Sequence, residues 1–252
     1  MSKFIALLKR EILEHKNIWR LPLVLLGIGL LVKMSLSIGN LAIDIDVPEQ
    51  LQLDGAIDSA LDGVIARALN SMNYLVTMVM FVVAVFYALA CLYDERQDNS
   101  VLFWRSMPVS DSMTIASKLC VALLIVPLLV IVTQALLAIL FFGAQSFDYL
   151  STYYSGSLLL LGQMLLWSML PTIAWCMFCS EVSAKSPFLL AFVTPVILIL
   201  LDKLFFDGYI SQTFVINRFW GVSNYTFAPL ISGLIFSAVC LAGAVSKRSQ
   251  RV

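Results

Sequence analysis

Six stretches of this chain, at about 20 to 39, 74 to 93, 114 to 142, 157 to 179, 187 to 206 and 225 to 245, are apolar over the length a helix needs to cross a bilayer. Hydrocarbon offers no partner to an exposed peptide group. A segment that enters it must therefore satisfy its own backbone, which ~20 apolar residues do as one helix. Hydrophobic residues make up 60% of the 252 and charged residues 13%, far from the ~45–50% and ~25% of soluble domains. A water-soluble fold of this size has no interior large enough to hide them. The chain reads as an all-α integral membrane protein with six transmembrane helices, forming a single domain over residues 1–252. An even number of crossings puts both termini on one side.

The formal net charge is zero, which gives no basic excess for nucleic acid, but the two signs are unevenly placed. Lys3, Lys9, Arg10, Lys16, Arg20, Arg96, Arg105, Lys118, Lys185, Lys247, Arg248 and Arg251 fall on the side of the termini, against Arg67, Lys203 and Arg218 opposite. The positive-inside rule then makes the termini, the 94–113 loop and the 180–186 loop cytoplasmic. The outer loops are acidic, with Asp44, Asp46, Glu49, Asp54, Asp58, Asp62, Asp148 and Asp207.

Ahead of the first span, Phe4, Leu7, Leu8, Ile12 and Ile18 recur at roughly helical spacing against Lys3, Lys9, Arg10, Glu14 and Lys16. That pattern predicts an amphipathic elbow helix over 1–19 lying in the cytoplasmic membrane interface. The lead carries both signs and no small-x-small cleavage site follows it, so the first span is expected to be retained. In the 40–73 outer loop, Ile57, Ala60, Leu61, Val64, Ile65, Ala68, Leu69 and Met72 predict an amphipathic helix feeding the second span, with Asp54 as its N-cap.

The five cysteines all sit in apolar blocks and read as packing residues, including Cys176 and Cys179, whose spacing lacks the second pair a metal site needs. Pro127, Pro171, Pro195 and Pro229 should bend their helices. In the first span, Gly27 and Gly29 offer a close helix approach.

The loop between the second and third spans is the most informative stretch. Asp98 or Asn99 can cap a short helix that crowds Val101, Leu102, Phe103, Trp104 and Met107, Pro108 stops it, and Ser110 or Asp111 caps the next span. A Phe-Trp pair outside the bilayer must bury itself either in the interface or in a pocket on another protein. The residues alone leave both open.

The run Glu-Arg-x-Asp-x-Ser-x-Leu-Phe-Trp-x-Ser-x-Pro-Val-Ser, Glu95 to Ser110, resembles the first cytoplasmic loop of permease subunits of type 2 ATP-binding cassette (ABC) transporters. The six spans, the basic elbow and the place of this loop resemble that family too, while the acidic outer segment matches none of its hallmarks. The resemblance implies a coupling helix seated in a groove of a separate ATPase subunit. Ser100, Val101, Leu102, Phe103, Trp104, Arg105 and Met107 would form that helix, and Glu95, Arg96 and Asp98 would flank the contact. The turn from Glu181 to Pro187 would be a second contact or a plain tight turn. It also implies two ATPase copies, a second permease copy as a homodimer, efflux, and a bacterial cytoplasmic (inner) membrane as the home.

Such a division of labour suits a chain with no phosphate-cradling G-x-x-x-x-G-K-[ST] loop, since Gly243 and Lys247 have neither its spacing nor a preceding strand. No cofactor or metal and no catalytic residue is expected here; ATP and Mg would belong to the partner ATPase. Within the spans, Lys33, Gln134, Gln163 and Asp202 are candidate polar residues of a substrate path. Lys33 would pair with Asp202 or meet an anionic group, or else snorkel to the headgroups as Lys203 would. An intramembrane enzyme is disfavoured because the one histidine, His15, lies in the elbow. An ATP-independent secondary transporter or channel remains an alternative, although no inverted repeat is visible. So does a non-transporting membrane anchor or assembly subunit.

Overall fold

The computed structural model describes residues 2–38, 56–98, 109–143, 165–211 and 227–250, and all regular structure among them is helical. In chain order these elements are α1 (Ser2–Glu14), α2 (Asn17–Ile38), α3 (Ala56–Gln97), α4 (Asp111–Cys120), α5 (Val126–Phe142), α6 (Leu170–Val182), α7 (Pro187–Phe205), the single turn α8 (Tyr209–Ser211) and α9 (Phe227–Ser249). Among the described residues, six helices are long and apolar enough to cross a membrane: Asn17–Ser35, Arg67–Gln97, Asp111–Phe142, Leu165–Val182, Pro187–Phe205 and Leu230–Ser249. The protein is a multi-pass membrane protein.

The amphipathic stretch of the first outer loop and the second span are one continuous helix, the 42-residue α3, about twice the length the hydrocarbon core requires. Asp54, its expected cap, lies outside the described residues.

Two of the prolines follow a local widening of the helix. π-helical turns occupy Val121–Ile125 and Leu165–Met169, just ahead of Pro127 and Pro171. A proline brings no N–H and pushes against the carbonyl four residues back. Ahead of Pro127 the Val126 N–H reaches the Val121 carbonyl five residues back, the wider spacing of a π-turn.

The chain divides into two compact units. The larger comprises Met1–Lys16, Phe81–Val126 and Leu158–Val252. In it α9 packs along α6 and against α4, α7 lies on α6, and α1 lies on α4. The α9–α6 approach is close because Gly243 has no side chain, and a Cβ there would stand 2.9 Å from the Phe178 ring. Ile173, Ala174, Met177 and Cys179 of α6 are buried together with Cys240 and Ala244 of α9, and all five cysteines are free thiols. On α7, Leu189, Val193, Val196, Leu200 and Leu204 form an exposed apolar stripe, which suits a helix bathed in lipid.

The smaller unit comprises Asn17–Met80 and Pro127–Ser157. There Gly29, and not Gly27, provides the close approach, since a Cβ at position 29 would meet Leu137 at 2.5 Å. Gln134 on α5 is buried and donates through Nε2 to the Asn73 carbonyl (3.0 Å) and the Thr77 hydroxyl (2.9 Å) of α3.

Candidate functional site

The unusual chemistry of the larger unit lies where α3 ends and α4 begins. Lys118 falls two turns into α4 and is 1% exposed. A bare ammonium so placed would cost several kcal/mol, so it must find carboxylates. Two reach it. Glu11, on the inner face of α1 and fully buried, accepts from Lys118 Nζ at 2.8 Å. Glu95, in the last turns of α3, lies 3.1 Å from the same nitrogen.

Glu95 is the hub. Its Oε1 also takes Arg10 Nη2 of α1 at 3.0 Å, and its Oε2 takes Arg248 Nη1 of α9 at 3.0 Å. Arg248 in turn donates Nε to Asp111 Oδ1 at 3.1 Å. Local placement favours both ends of that last pair. Asp111 opens α4, where Ser110 accepts the Met113 N–H as N-cap, and Arg248 stands in the last turn of α9. An anion at a helix start and a cation at a helix end are each favoured by the backbone dipoles. Glu95 at the end of α3 runs against that preference and is held by its three cations instead.

The cluster extends further. The Tyr87 hydroxyl donates to Glu11 Oε2 at 3.2 Å, and Arg10 Nε reaches Glu14 at 3.0 Å. His15 stacks edge-on against Tyr87 with ring centres 4.8 Å apart. Burial pushes the His15 imidazole below its ordinary pKa, Glu11 opposing that and Lys118 adding to it. Buried Glu181 of α6 acts electrostatically on Arg248.

A second set of bonds ties the α6–α7 turn to the same end of α3. Arg96 Nη2 donates to the carbonyls of Ser180 and Ser183, each at 2.6 Å, covering the last turn of α6. Tyr93 gives its hydroxyl proton to the Lys185 carbonyl at 2.7 Å. The Ser180 hydroxyl bridges two backbone groups of α3: it accepts the Tyr93 N–H at 2.9 Å and donates to the Leu89 carbonyl at 2.6 Å.

Of the residues singled out in the sequence, Ser100, Val101, Leu102, Phe103, Trp104, Arg105 and Met107 lie outside the described residues, as does Gln163. Glu95 and Arg96 belong to the network just described, and Asp98 is exposed at the end of α3. Lys33 donates its ammonium to the Leu140 carbonyl. Asp202 is buried at the end of α7, where Oδ2 accepts the Ser211 N–H at 2.6 Å and closes the turn through Asp207 and Gly208, both at positive φ.

Glu11, Lys118, Arg248 and Ser180 carry this site without having been marked as site residues in the sequence. Two signals pointed to them. Lys118 interrupts an apolar window, which demands a counter-ion, and Glu11 falls on the same helical face as Leu7 and Leu8. Compared with known protein families, curated proteins and solved structures, the chain matches none of them.

Proposed function

We propose that this chain is the membrane-spanning permease subunit of a type 2 ABC exporter, working as a homodimer with two copies of a separate ATPase in a bacterial cytoplasmic membrane. The Glu95–Ser110 motif suggests the family, and six spans suit the architecture.

The observation that carries the reading is the anchoring of the proposed coupling loop at both of its roots. Arg248 joins Glu95, just before the loop, to Asp111, just after it. Arg10 and Lys118 fasten the same carboxylate to α1 and α4. Arg96 and Tyr93 bind the turn that would form the second contact. A coupling element has to pass a rigid-body push into the spans without being absorbed at its hinges. A loop rooted in a buried network of ion pairs meets that demand, because shifting one root drags α1, α4 and α9 with it. Glu95 and Arg96 then support the loop from behind, while Phe103, Trp104 and Arg105 touch the ATPase.

The test is to reconstitute the chain with its ATPase and compare ATP hydrolysis with and without Trp104→Ala plus Arg105→Ala. The unchanged chain is expected to raise the ATPase rate and the double variant to lose that stimulation. Equal stimulation by both would sink the coupling assignment.

A further inference from the structure

Among the described residues, α1 buries one face. Leu7 and Glu11, one turn apart, are buried, and the Glu11–Lys118 and Arg10–Glu95 pairs pin that side of the helix to α4 and to the end of α3. The opposite side carries Ile5, Lys9 and Leu13 at successive turns. Ile5 is 60% exposed and Leu13 61%, with exposed Lys9 between them. Lys3 and Lys16 are exposed as well. Among the described residues no carboxylate pairs with Lys9 or Lys16, and Glu14, the exposed acid of this helix, is taken by Arg10 at 3.0 Å.

Two large aliphatic side chains separated by a lysine do not make the contiguous apolar patch of a protein docking site. They do match a helix lying at headgroup depth, with aliphatics in the acyl boundary and ammonium groups at the phosphates. Chain connectivity supplies the surface, because the span Asn17–Ser35 begins one residue after Lys16.

We propose that this outer face of α1 binds anionic phospholipid headgroups. Ile5 and Leu13 enter the acyl boundary, and Lys9, together with Lys16 in the turn that follows α1, takes the lipid phosphates. The inference rests on the membrane-spanning helices and on α1 itself, and it stands whichever transport class the protein belongs to. It also gives the buried charge cluster a second input: α1, gripped from inside by Glu95 and Lys118, is gripped from outside by the membrane.

The test uses the full chain in nanodiscs of phosphatidylcholine mixed with phosphatidylglycerol. Lipids retained after release are counted by native mass spectrometry for the unchanged chain and for Lys9→Gln with Lys16→Gln. That variant leaves the buried face and its ion pairs intact. Phosphatidylglycerol is expected to be retained over phosphatidylcholine, with the preference falling about five-fold for each lysine removed, as ~1 kcal/mol per juxtamembrane lysine requires. Equal retention of the two lipids, or an undiminished preference in the variant, overturns the proposal. Amide exchange over residues 2–16 separates a lipid from a protein occupant. It should slow when phosphatidylglycerol enters the nanodisc. Slowing only when a co-purified protein is added, and not with the lipid, also overturns it.

Discussion

Arg248 and Glu95 meet at 3.0 Å in a site where each side chain is 3% exposed. They stand 153 residues apart in the sequence, on helices joined by no local motif, and the same guanidinium carries Asp111 on its other edge. The pair therefore sets the register between the end of α3, the start of α4 and the end of α9. Buried ion pairs add little net stability over well-packed apolar residues, but breaking one by removing a single partner leaves a charge with nowhere to go.

Removing Lys118 and removing Arg248 should therefore cost different amounts. Lys118→Met leaves Glu11 with only the Tyr87 hydroxyl and the half-buried His15, and is expected to destabilise by about 3–5 kcal/mol. Arg248→Met leaves Glu95 its Arg10 and Lys118 partners and should cost less. Thermal unfolding in detergent checks the order; an equal or reversed ranking would mean that Glu11 does not depend on Lys118 as its counter-ion.

Ser180→Ala removes the hydroxyl that links Tyr93 N–H to the Leu89 carbonyl. Two backbone groups of α3 lose a side-chain partner at once, so a loss of about 1 kcal/mol is expected. Ser180→Thr restores the hydroxyl and should recover most of it. If Ala and Thr unfold at the same temperature, the bridging hydroxyl has no structural weight.

His15 predicts a pH dependence of known sign. Burial lowers its pKa below the ordinary 6.5, so near and below that pH the unfolded chain takes up a proton that the folded chain resists. Stability then rises with pH through this window and is lost as pH falls below about 6.5. Unfolding temperature measured against pH should show this slope in the unchanged chain and a shallower one in His15→Gln. The same slope in both would assign it to other groups.

Gln134→Leu should be mild. It removes the donor shared by the Asn73 carbonyl and Thr77, and interhelical hydrogen bonds between spans average about 0.6 kcal/mol. A small drop in unfolding temperature with unchanged recovery of a partner ATPase is expected. Loss of the ATPase would instead tie this polar group to the loop.

The helices were legible because a span is written in consecutive residues: apolar runs of the required length fix where the chain crosses, and the Leu and Lys spacing of residues 3–16 marks α1. The glycine approach at Gly29 and the proline-linked widening ahead of Pro127 and Pro171 were legible as to place but not as to form, since a π-turn depends on how each carbonyl is accommodated. The charge cluster was not legible as a whole. Glu11, Glu95, Asp111, Lys118 and Arg248 share no motif, and which carboxylate takes which cation is decided only when α1, α3, α4 and α9 pack. What could be read was the demand, a lysine inside an apolar window and a glutamate on an apolar helix face, without the partner that answers it.

The most direct test of the account is to purify the chain in mild detergent from its native cell, identify co-purifying proteins by mass spectrometry, and repeat with Phe103→Ala plus Trp104→Ala. An ABC ATPase recovered with the unchanged chain and lost with the double variant is the predicted result. Recovery of the chain with no ATPase in either preparation would contradict the permease assignment.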